Sequence, residues 1–497
     1  MINEIFSGLL SIFSIGPITG ILIGILTGLL FGAIPGIAGI MAIAIILPMT
    51  FYLSPIVGIP MLLGVYKAGT FGGSIPAILI RTPGAPPAVC TTFDGYPLAK
   101  QGKGGKALHM ALIASVLGDT FSDLVLIFVA APLSVLALKA GPAERCALLF
   151  FALTIVGSVS GPSLIKGLIS GAIGLWLATI GISGVTGSTR FTFNISFLIG
   201  GISYIPMIIG LLALSEVIIQ VGLAGTGREI YLKKSNKRDD NRVTWPEFKA
   251  NIKTIWKSSL IGTSIGALPG LGSTIAAFMA YAEAKRSSKN PEKFGKGTLE
   301  GIAAPEAANN AVCGATMIPL LTLGIPGDDV TAILMGAFMI QGITPGPSIF
   351  FEHTRVIFGI YAGLLLCNLF IYTIAKNGFP IWIRLANSPK YIVFSIVTIL
   401  CFVGSYAINQ SLFDVSTLVI FGLLGYFMKK MEYSPAAFII GFILGPIFER
   451  TLDQSLTLSD GSLMIFITRP VSAIFLLLAV IAIGSLVKKR IKLKGSV

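Results

Sequence analysis

The sequence predicts an all-α membrane protein that crosses the bilayer many times. Of its 497 residues, 54% are hydrophobic and only 12% are charged, whereas soluble proteins carry about 25% charged residues. Apolar runs at 197–214, 356–375 and 471–487 approach the roughly 20 residues that span a bilayer as a helix. The sequence lacks the alternating segments of about ten residues that are typical of a membrane β-barrel. We expect roughly 10–12 membrane segments of this helical kind.

Basic residues are concentrated in four segments, at 100–106, 228–257, 285–296 and 488–494. Loops rich in lysine and arginine stay on the cytoplasmic side of a membrane, so we predict that all four segments are cytoplasmic. The net charge of +14 therefore reflects topology and does not indicate binding to nucleic acid.

Few residues are available for metal or acid–base chemistry. The chain has two histidines and five scattered cysteines, with no Cys-x-x-Cys motif or Cys/His cluster, so disulfides and metal sites are not expected. No P-loop motif is present, which argues against ATP hydrolysis. No lysine or arginine precedes Lys67, so we expect no cleaved signal peptide.

Two short patterns occur twice in the same order. GLLFGAIPG at 28–36 matches GTSIGALPG at 262–270, and IPAILIRTPG at 75–84 matches IPLLTLGIPG at 318–327. The copies are displaced by 234 and 243 positions. Two matches in register predict a duplicated architecture.

The duplication suggests a division of the chain into four parts. Residues 1–227 form a first transmembrane repeat, 228–257 a cytoplasmic basic linker, 258–460 a second repeat, and 461–497 a last transmembrane helix with a basic tail. Within the linker, Trp245, Phe248, Ile252 and Trp256 recur at helical spacing between lysines, a pattern typical of an interfacial helix.

Charge also constrains the orientation of the repeats. The segment GALPGLGS at 266–273 has a basic loop on both sides, so we predict a re-entrant hairpin rather than a span. The first copy lacks flanking basic residues and is expected to enter from the opposite face, which would make the repeats inverted, as in many secondary transporters.

The Pro-Gly pairs of both patterns break helices at membrane depth. Irregular backbone is tolerated there only inside protein or beside a wet cavity. A helix that begins after such a break presents free N–H groups and the positive end of its dipole to an anion. The free carbonyl groups at the end of the half-helix before the break suit a cation. The alternative is that the pairs are packing kinks. The candidate substrate-binding residues at the breaks are Pro35, Gly36, Thr82, Pro83, Gly84, Pro269, Gly270, Ser273, Thr274, Pro326 and Gly327.

Several polar residues near the breaks have two interpretations. Ser273 and Thr274, in the first turn of a half-helix, either contact substrate or cap the turn, and the same alternatives apply to Thr82. Asp328 and Asp329 open a helix, where at least one of them is expected to be an N-cap; an aspartate facing the cavity would bind a cation.

The run APEAANNAVCGA at 304–315 adds further candidates. Buried amides need partners, so Asn309 and Asn310 are predicted to bind substrate or a neighbouring helix, with Asn310 also a candidate cation ligand. Glu306 is either a functional intramembrane acid or a solvated residue near the cytoplasmic end of its helix.

These stretches resemble the TctA family, the large membrane subunit of tripartite tricarboxylate transporters. The matching pieces include AIPGIAG, GTFGGSIPAILIRTPG, ALPGLGSTIAAFMAYAEAK, FGKGTLEGIAAPEAANNA and IPLLTLGIPGDDVTAILMGAFMIQGITPGP. The resemblance extends from about residue 16 to about 485. The Asp-Asp pair after Gly327 departs from the small residue typical of the family, which leaves the cation preference open.

The resemblance implies a permease in a bacterial inner membrane. It would work with a small, TctB-like membrane subunit and a periplasmic, TctC-like solute-binding protein that delivers a di- or tricarboxylate. Import would be driven by a gradient of Na⁺ or H⁺, without a cofactor. The alternatives are a permease that works alone, a membrane-embedded enzyme, for which no buried acid–base pair is evident, and a structural subunit.

Overall fold

The computed structural model describes residues 2–35, 39–159, 163–222, 240–386 and 390–494. In these ranges nearly every ordered element is a helix, and the only strands are the two-residue antiparallel pair β1 (Gly181–Ile182) and β2 (Thr189–Arg190). The all-α prediction is therefore confirmed.

The first part of the chain forms α-helices that alternate between long spans and short pieces at the predicted breaks. They are α1 (Ile2–Ser11), α2 (Ile15–Ala33), α3 (Gly39–Thr50), α4 (Pro55–Gly72), α5 (Ser74–Ile80), α6 (Val89–Leu98), α7 (Gly104–Leu138), α8 (Pro142–Val159), α9 (Leu164–Leu177), α10 (Tyr204–Ile208) and α11 (Ser215–Gly222). A π-helical turn at Ile209–Leu214 joins α10 to α11.

The second part repeats this alternation of long and short helices. Its helices are α12 (Trp245–Gly266), α13 (Gly272–Ser287), α14 (Leu299–Ala315), α15 (Met317–Leu323), α16 (Asp329–Ile340), α17 (Ile349–Glu352), α18 (Thr354–Ala386), α19 (Lys390–Asn409), α20 (Leu412–Lys430), α21 (Pro435–Thr457), α22 (Ile465–Thr468) and α23 (Pro470–Lys494).

Many of these helices have the length and composition of membrane spans. Among the described residues, eight are long and apolar enough to cross a bilayer, and four shorter apolar helices lie at Gly39–Thr50, Leu164–Leu177, Asp329–Ile340 and Pro470–Gly484. Such helices satisfy their backbone hydrogen bonds internally, as the hydrocarbon core of a membrane requires. The chain is thus a multi-pass membrane protein.

The two sequence patterns have the same local structure in both halves. Helices α2 and α12 each end just before the first Pro-Gly pair, and α3 and α13 begin after it. Helices α5 and α15 both have seven residues and both end at a left-handed residue, Arg81 in one and Gly324 in the other. The duplicated pattern therefore encodes a duplicated chain path.

Glycines of the repeated pattern allow close helix packing. In the first half α2 packs on α4, and in the second half α12 packs on α14. A Cβ at Gly28 would clash with the Val65 carbonyl, and a Cβ at Gly262 would clash with the Ala308 carbonyl. The two glycines are 234 positions apart and the two carbonyl residues are 243 positions apart, the same displacements as those of the two sequence patterns. Both glycines are needed for the approach of the two backbones.

The GALPGLGS segment forms the tip of a helical hairpin. Lys257 on α12 and Glu283 on α13 form an ion pair at the base, thirteen residues before and after Gly270. The bond from Lys257, together with that from Arg286, holds the pKa of the Glu283 carboxyl below its usual value. The two arms of the hairpin therefore meet at the same end of the molecule. The basic loops on both sides of the segment predict a hairpin of this kind.

The helix predicted to be interfacial is longer than expected. Trp245 and Trp256 are exposed, but the helix continues without interruption through the expected boundary at residue 257 to Gly266. Thr244 and Glu247 form a capping box at its start. Residues 223–239 lie outside the described residues, so the first part of the predicted basic linker, 228–239, does as well.

The longest helix of each half packs against helices of the other half. Helix α7, from the first half, packs mainly on α14 and also on α12, whereas α18, from the second half, packs on α4 and α2. Helices α12 and α15, which lead to the breaks of the second half, thus contact α7, and α2 and α5, which lead to the breaks of the first half, contact α18.

Candidate transport site at the helix breaks

The segments that follow all four matched Pro-Gly pairs meet at one cavity of about 420 Å³. They contribute Gly39 and Ile40, then 85–87, 270–275 and 328–330. Helix α4 adds Tyr66, Gly69 and Thr70, and α21 adds Ala436 and Ile440. Of the residues predicted from the sequence, those that line the cavity are Gly270, Ser273, Thr274, Asp328 and Asp329.

Helix α13 directs an open N-terminus at this cavity. Gly270 and Gly272 have positive φ angles of 87° and 69°, which let the chain turn sharply into the new helix. Leu271 at the N-cap position provides no side-chain cap. Within the described residues, the Ser273 and Thr274 hydroxyls form no hydrogen bond. The first-turn N–H groups are therefore available to an anion.

The two aspartates that open α16 have different surroundings. Asp328 Oδ1 accepts hydrogen bonds from the Thr331 N–H at 2.8 Å and from Thr331 Oγ1 at 2.7 Å, and Asp328 Oδ2 accepts one from the Tyr66 hydroxyl at 2.7 Å. Asp328 is therefore the N-cap of α16. Among the described residues, Asp329 Oδ1 accepts a hydrogen bond from the Val330 N–H at 3.1 Å and no other residue is a side-chain partner, which leaves its carboxylate open to the cavity.

This difference leads to a prediction about stability. Replacing Asp328 with alanine removes the cap and is expected to destabilise the protein by about 1–2 kcal/mol, because the first-turn N–H groups of α16 lose their acceptor. Asp329→Ala, which removes the neighbouring charge but no cap, is the matched control. Thermal unfolding in detergent measures the difference; equal melting temperatures for the two variants would contradict the assignment of the cap.

Backbone contacts connect the breaks to one another and to the helices around them. The Gly270 N–H donates to the Gly327 carbonyl at 2.7 Å, which joins the two breaks of the second half. In the first half, the Gly84 N–H donates to the Gly73 carbonyl at 3.0 Å, and a Cβ at Gly84 would lie 2.5 Å from the Gly32 carbonyl. The breaks are therefore fixed turns within the core.

The remaining predicted residues lie around the cavity or away from it. Gly84, Pro326, Gly327 and Pro35 are buried, and Pro83 and Pro269 are half-buried, but none of them lines the cavity. Thr82 is exposed and its hydroxyl donates to the Ile80 carbonyl at 3.3 Å. Gly36 lies outside the described residues.

Asn310 belongs to a separate buried network around Glu306. Ser74 Oγ and Thr91 Oγ1 donate to Glu306 Oε1, and Ser115 Oγ donates to Glu306 Oε2 at 3.0 Å. Asn310 Nδ2 donates to Ser115 Oγ at 2.8 Å. Glu306 is fully buried, so the alternative of a solvated residue is wrong. Asn309 and Asn310 do not line the cavity, and neither side-chain polar atom of Asn309 has a hydrogen-bond partner among the described residues.

A buried charged cluster behind the cavity wall is absent from the residues predicted from the sequence. Lys67 on α4 lies between Asp119 and Asp123 on α7, with Asn368 on α18 beside them. The available signal was the presence of ionisable residues in apolar segments, since such residues in a membrane span are functional candidates by default. The spacing of four between the aspartates also indicates one helix face.

Helices that break at a shared cavity, inside a multi-pass bundle, are typical of membrane transport proteins. The family comparison agrees with this class. The model of the tripartite tricarboxylate transporter TctA family matches residues 18–440, and the chain belongs to this family.

Two relatives come from Agrobacterium vitis. The uncharacterized 52.8 kDa protein in the TAR-I ttuC′ 3′ region is 36% identical over 445 residues, which cover 88% of this chain and 87% of that protein. The uncharacterized protein in the TAR-II ttuC′ 3′ region is 38% identical over 222 residues, which cover 45% of this chain and 92% of that protein. No solved structure matches the chain significantly.

Proposed function

We propose that this chain is the permease subunit of a tripartite importer for di- or tricarboxylates in the bacterial inner membrane, driven by an ion gradient. A periplasmic solute-binding protein delivers the substrate, and a small membrane subunit completes the system. Membership of the TctA family supports this proposal. Within the structure, the observation that carries it is the uncapped N-terminus of α13 in a cavity formed by all four matched breaks.

The cavity has the chemistry for an anion and a cation together. A substrate carboxylate would accept hydrogen bonds from the N–H groups at the start of α13, where the helix dipole also favours negative charge. Asp329, whose carboxylate accepts a hydrogen bond from the Val330 N–H and lines the cavity, is the candidate ligand for a cation that accompanies the anion. Binding of opposite charges next to each other reduces the cost of removing each from water.

Alternating access follows from the same architecture. Because α7 packs on α12 and α15, and α18 packs on α2 and α5, each half contacts helices that lead to the breaks of the other half. A movement of one half against the other would therefore change the environment of the breaks. Rocking of repeats around a fixed site is the usual mechanism of such transporters.

The test is uptake by the purified chain in proteoliposomes, with labelled citrate and succinate as tricarboxylate and dicarboxylate. Na⁺ and proton gradients are imposed separately, each with and without the candidate binding protein and small subunit. We expect uptake that needs an ion gradient and both partners. Uptake without the partners would support a permease that works alone, and absence of uptake under every condition would contradict the proposal.

A further inference from the structure

The charged cluster behind the cavity is completely enclosed. The exposed fractions of Lys67, Asp119, Asp123 and Asn368 are 3% or less. Lys67 Nζ lies 2.5 Å from Asp123 Oδ2, 2.7 Å from Asn368 Oδ1 and 3.7 Å from Asp119 Oδ1. Asn368 Nδ2 also donates to Asp123 Oδ2 at 2.7 Å. The cluster joins α4 and α7 of the first half to α18 of the second half.

This cluster lacks one positive charge. Two carboxylates face a single ammonium, so the three ionised groups together carry one negative charge. Among the described residues, neither Asp119 Oδ1 nor Asp123 Oδ1 has a hydrogen-bond partner, and both atoms are buried. An uncompensated buried charge is costly and is usually neutralised, and the two oxygens without a hydrogen bond are the atoms at which the missing positive charge would bind.

The surroundings favour a proton over a metal ion. The Lys67 ammonium already lies between the carboxylates, and a Cβ at Gly314 would lie 2.6 Å from Asp123 Oδ1, so the α14 backbone covers that oxygen. The other titratable groups facing the cluster are Cys313 on α14 and Cys367 on α18. A proton needs one oxygen, whereas Na⁺ would need several oxygen ligands and space for itself.

The geometry also indicates which carboxyl takes the proton. Asp123 is held by a close ion pair and by the Asn368 amide, both of which stabilise its ionised form. Asp119 is farther from Lys67 Nζ, so its charge is less compensated. Asp119 is therefore the carboxyl that would take up the proton: a proton from water would form an O–H bond there and later return to water.

The cluster is positioned to sense the occupancy of the cavity. Tyr66 and Thr70, on either side of Lys67 in α4, line the cavity. The Tyr66 hydroxyl donates to Asp328 Oδ2 at 2.7 Å, and the Cys313 thiol contacts Thr70 Oγ1 at 3.6 Å. A shift of α4 when substrate binds would thus change the distance between Lys67 and the carboxylates.

We infer that Lys67, Asp119 and Asp123 form the site of a coupling proton, carried on Asp119 when the substrate cavity is loaded. The inference rests on the proposed function and specifies its coupling ion and the residues that hold it. These residues lie outside the cavity, in contrast to the cation candidates predicted from the sequence.

The experiment records the internal pH of proteoliposomes with a trapped fluorescent dye while citrate is added outside, with the partner proteins present. The wild-type chain is expected to acidify the interior in step with citrate uptake. Asp119→Asn, which cannot release a proton, is expected to lose the citrate-dependent acidification, and Asp119→Glu is expected to restore it. Asp453→Asn, at an exposed position on α21, is the matched control.

Citrate exchange across vesicles loaded with citrate separates the inference from the proposed function. Absence of both exchange and uptake in the wild-type chain would contradict the proposed function. Wild-type uptake that follows a Na⁺ gradient without acidification would overturn the inference and leave Asp329 as the cation candidate. Loss of acidification in Glu306→Gln but not in Asp119→Asn would overturn it as well, because the proton would then belong to the other buried carboxyl.

Discussion

Gly272→Leu is expected to lower carboxylate uptake by more than tenfold, because the carboxylate would lose charge-assisted hydrogen bonds that are each worth about 1.5–3 kcal/mol. Gly272 is the first residue of α13 and lines the cavity, and a Cβ added to it would have no other atom within 4 Å. A leucine side chain would therefore occupy the space in front of the first-turn N–H groups. Its backbone at φ 69° would also be strained by about 1–2 kcal/mol.

Gly342→Leu is the matched control for this strain. Gly342 has a φ of 74° and lies outside the cavity, and a Cβ added to it would also have no other atom within 4 Å. Both variants should have similar melting temperatures, while uptake of labelled citrate should fall only for Gly272→Leu. Equal uptake by the two variants would show that the α13 N-terminus does not bind the substrate.

Lys67→Met is expected to destabilise the protein by about 3–5 kcal/mol, because it leaves two buried carboxylates without their cation. The ammonium is fully buried and forms the only described ion pairs of Asp119 and Asp123. The methionine side chain has nearly the length of lysine, so the loss of charge dominates over the loss of packing. Thermal unfolding of the purified protein in detergent measures the effect.

The double variant Lys67→Met with Asp123→Asn is the control that identifies the cause. It removes one negative charge together with the positive one, so it should recover a large part of the lost stability. If the double variant is less stable than Lys67→Met alone, the destabilisation comes from packing rather than from the uncompensated charge.

The fold class and the breaks were predictable because both depend on local properties. Hydrophobic length predicts helices in a membrane, and Pro-Gly ends them wherever it occurs. The repeated glycines Gly28 and Gly262 were visible as a pattern, although their contacts with the partner helices were not. The helix through Trp245 extends further than its amphipathic start indicated, since Ile255, Ser258 and Gly262 are buried on one face.

The candidate site was less predictable from the sequence. Asp328 and Asp329 are adjacent and chemically identical and both line the cavity, yet Asp328 caps α16 and bonds Tyr66, while Asp329 does neither. Residue type cannot distinguish these roles, because they depend on which helix lies opposite. For the same reason the sequence leaves open whether Asn310 binds substrate or a neighbouring helix, whereas in the structure it donates to Ser115 of α7 in the network around Glu306.

The sequence by itself determined that this is a duplicated helical membrane protein with breaks at Pro35, Pro83, Pro269 and Pro326, because proline, glycine and hydrophobic length act on the chain locally. Only the tertiary structure decided that all four breaks surround one cavity. It also decided that Lys67 meets Asp119 and Asp123 behind that cavity. Both outcomes depend on packing between helices that are far apart in the sequence, such as α4 with α7 and α18, and the local composition does not specify such long-range contacts.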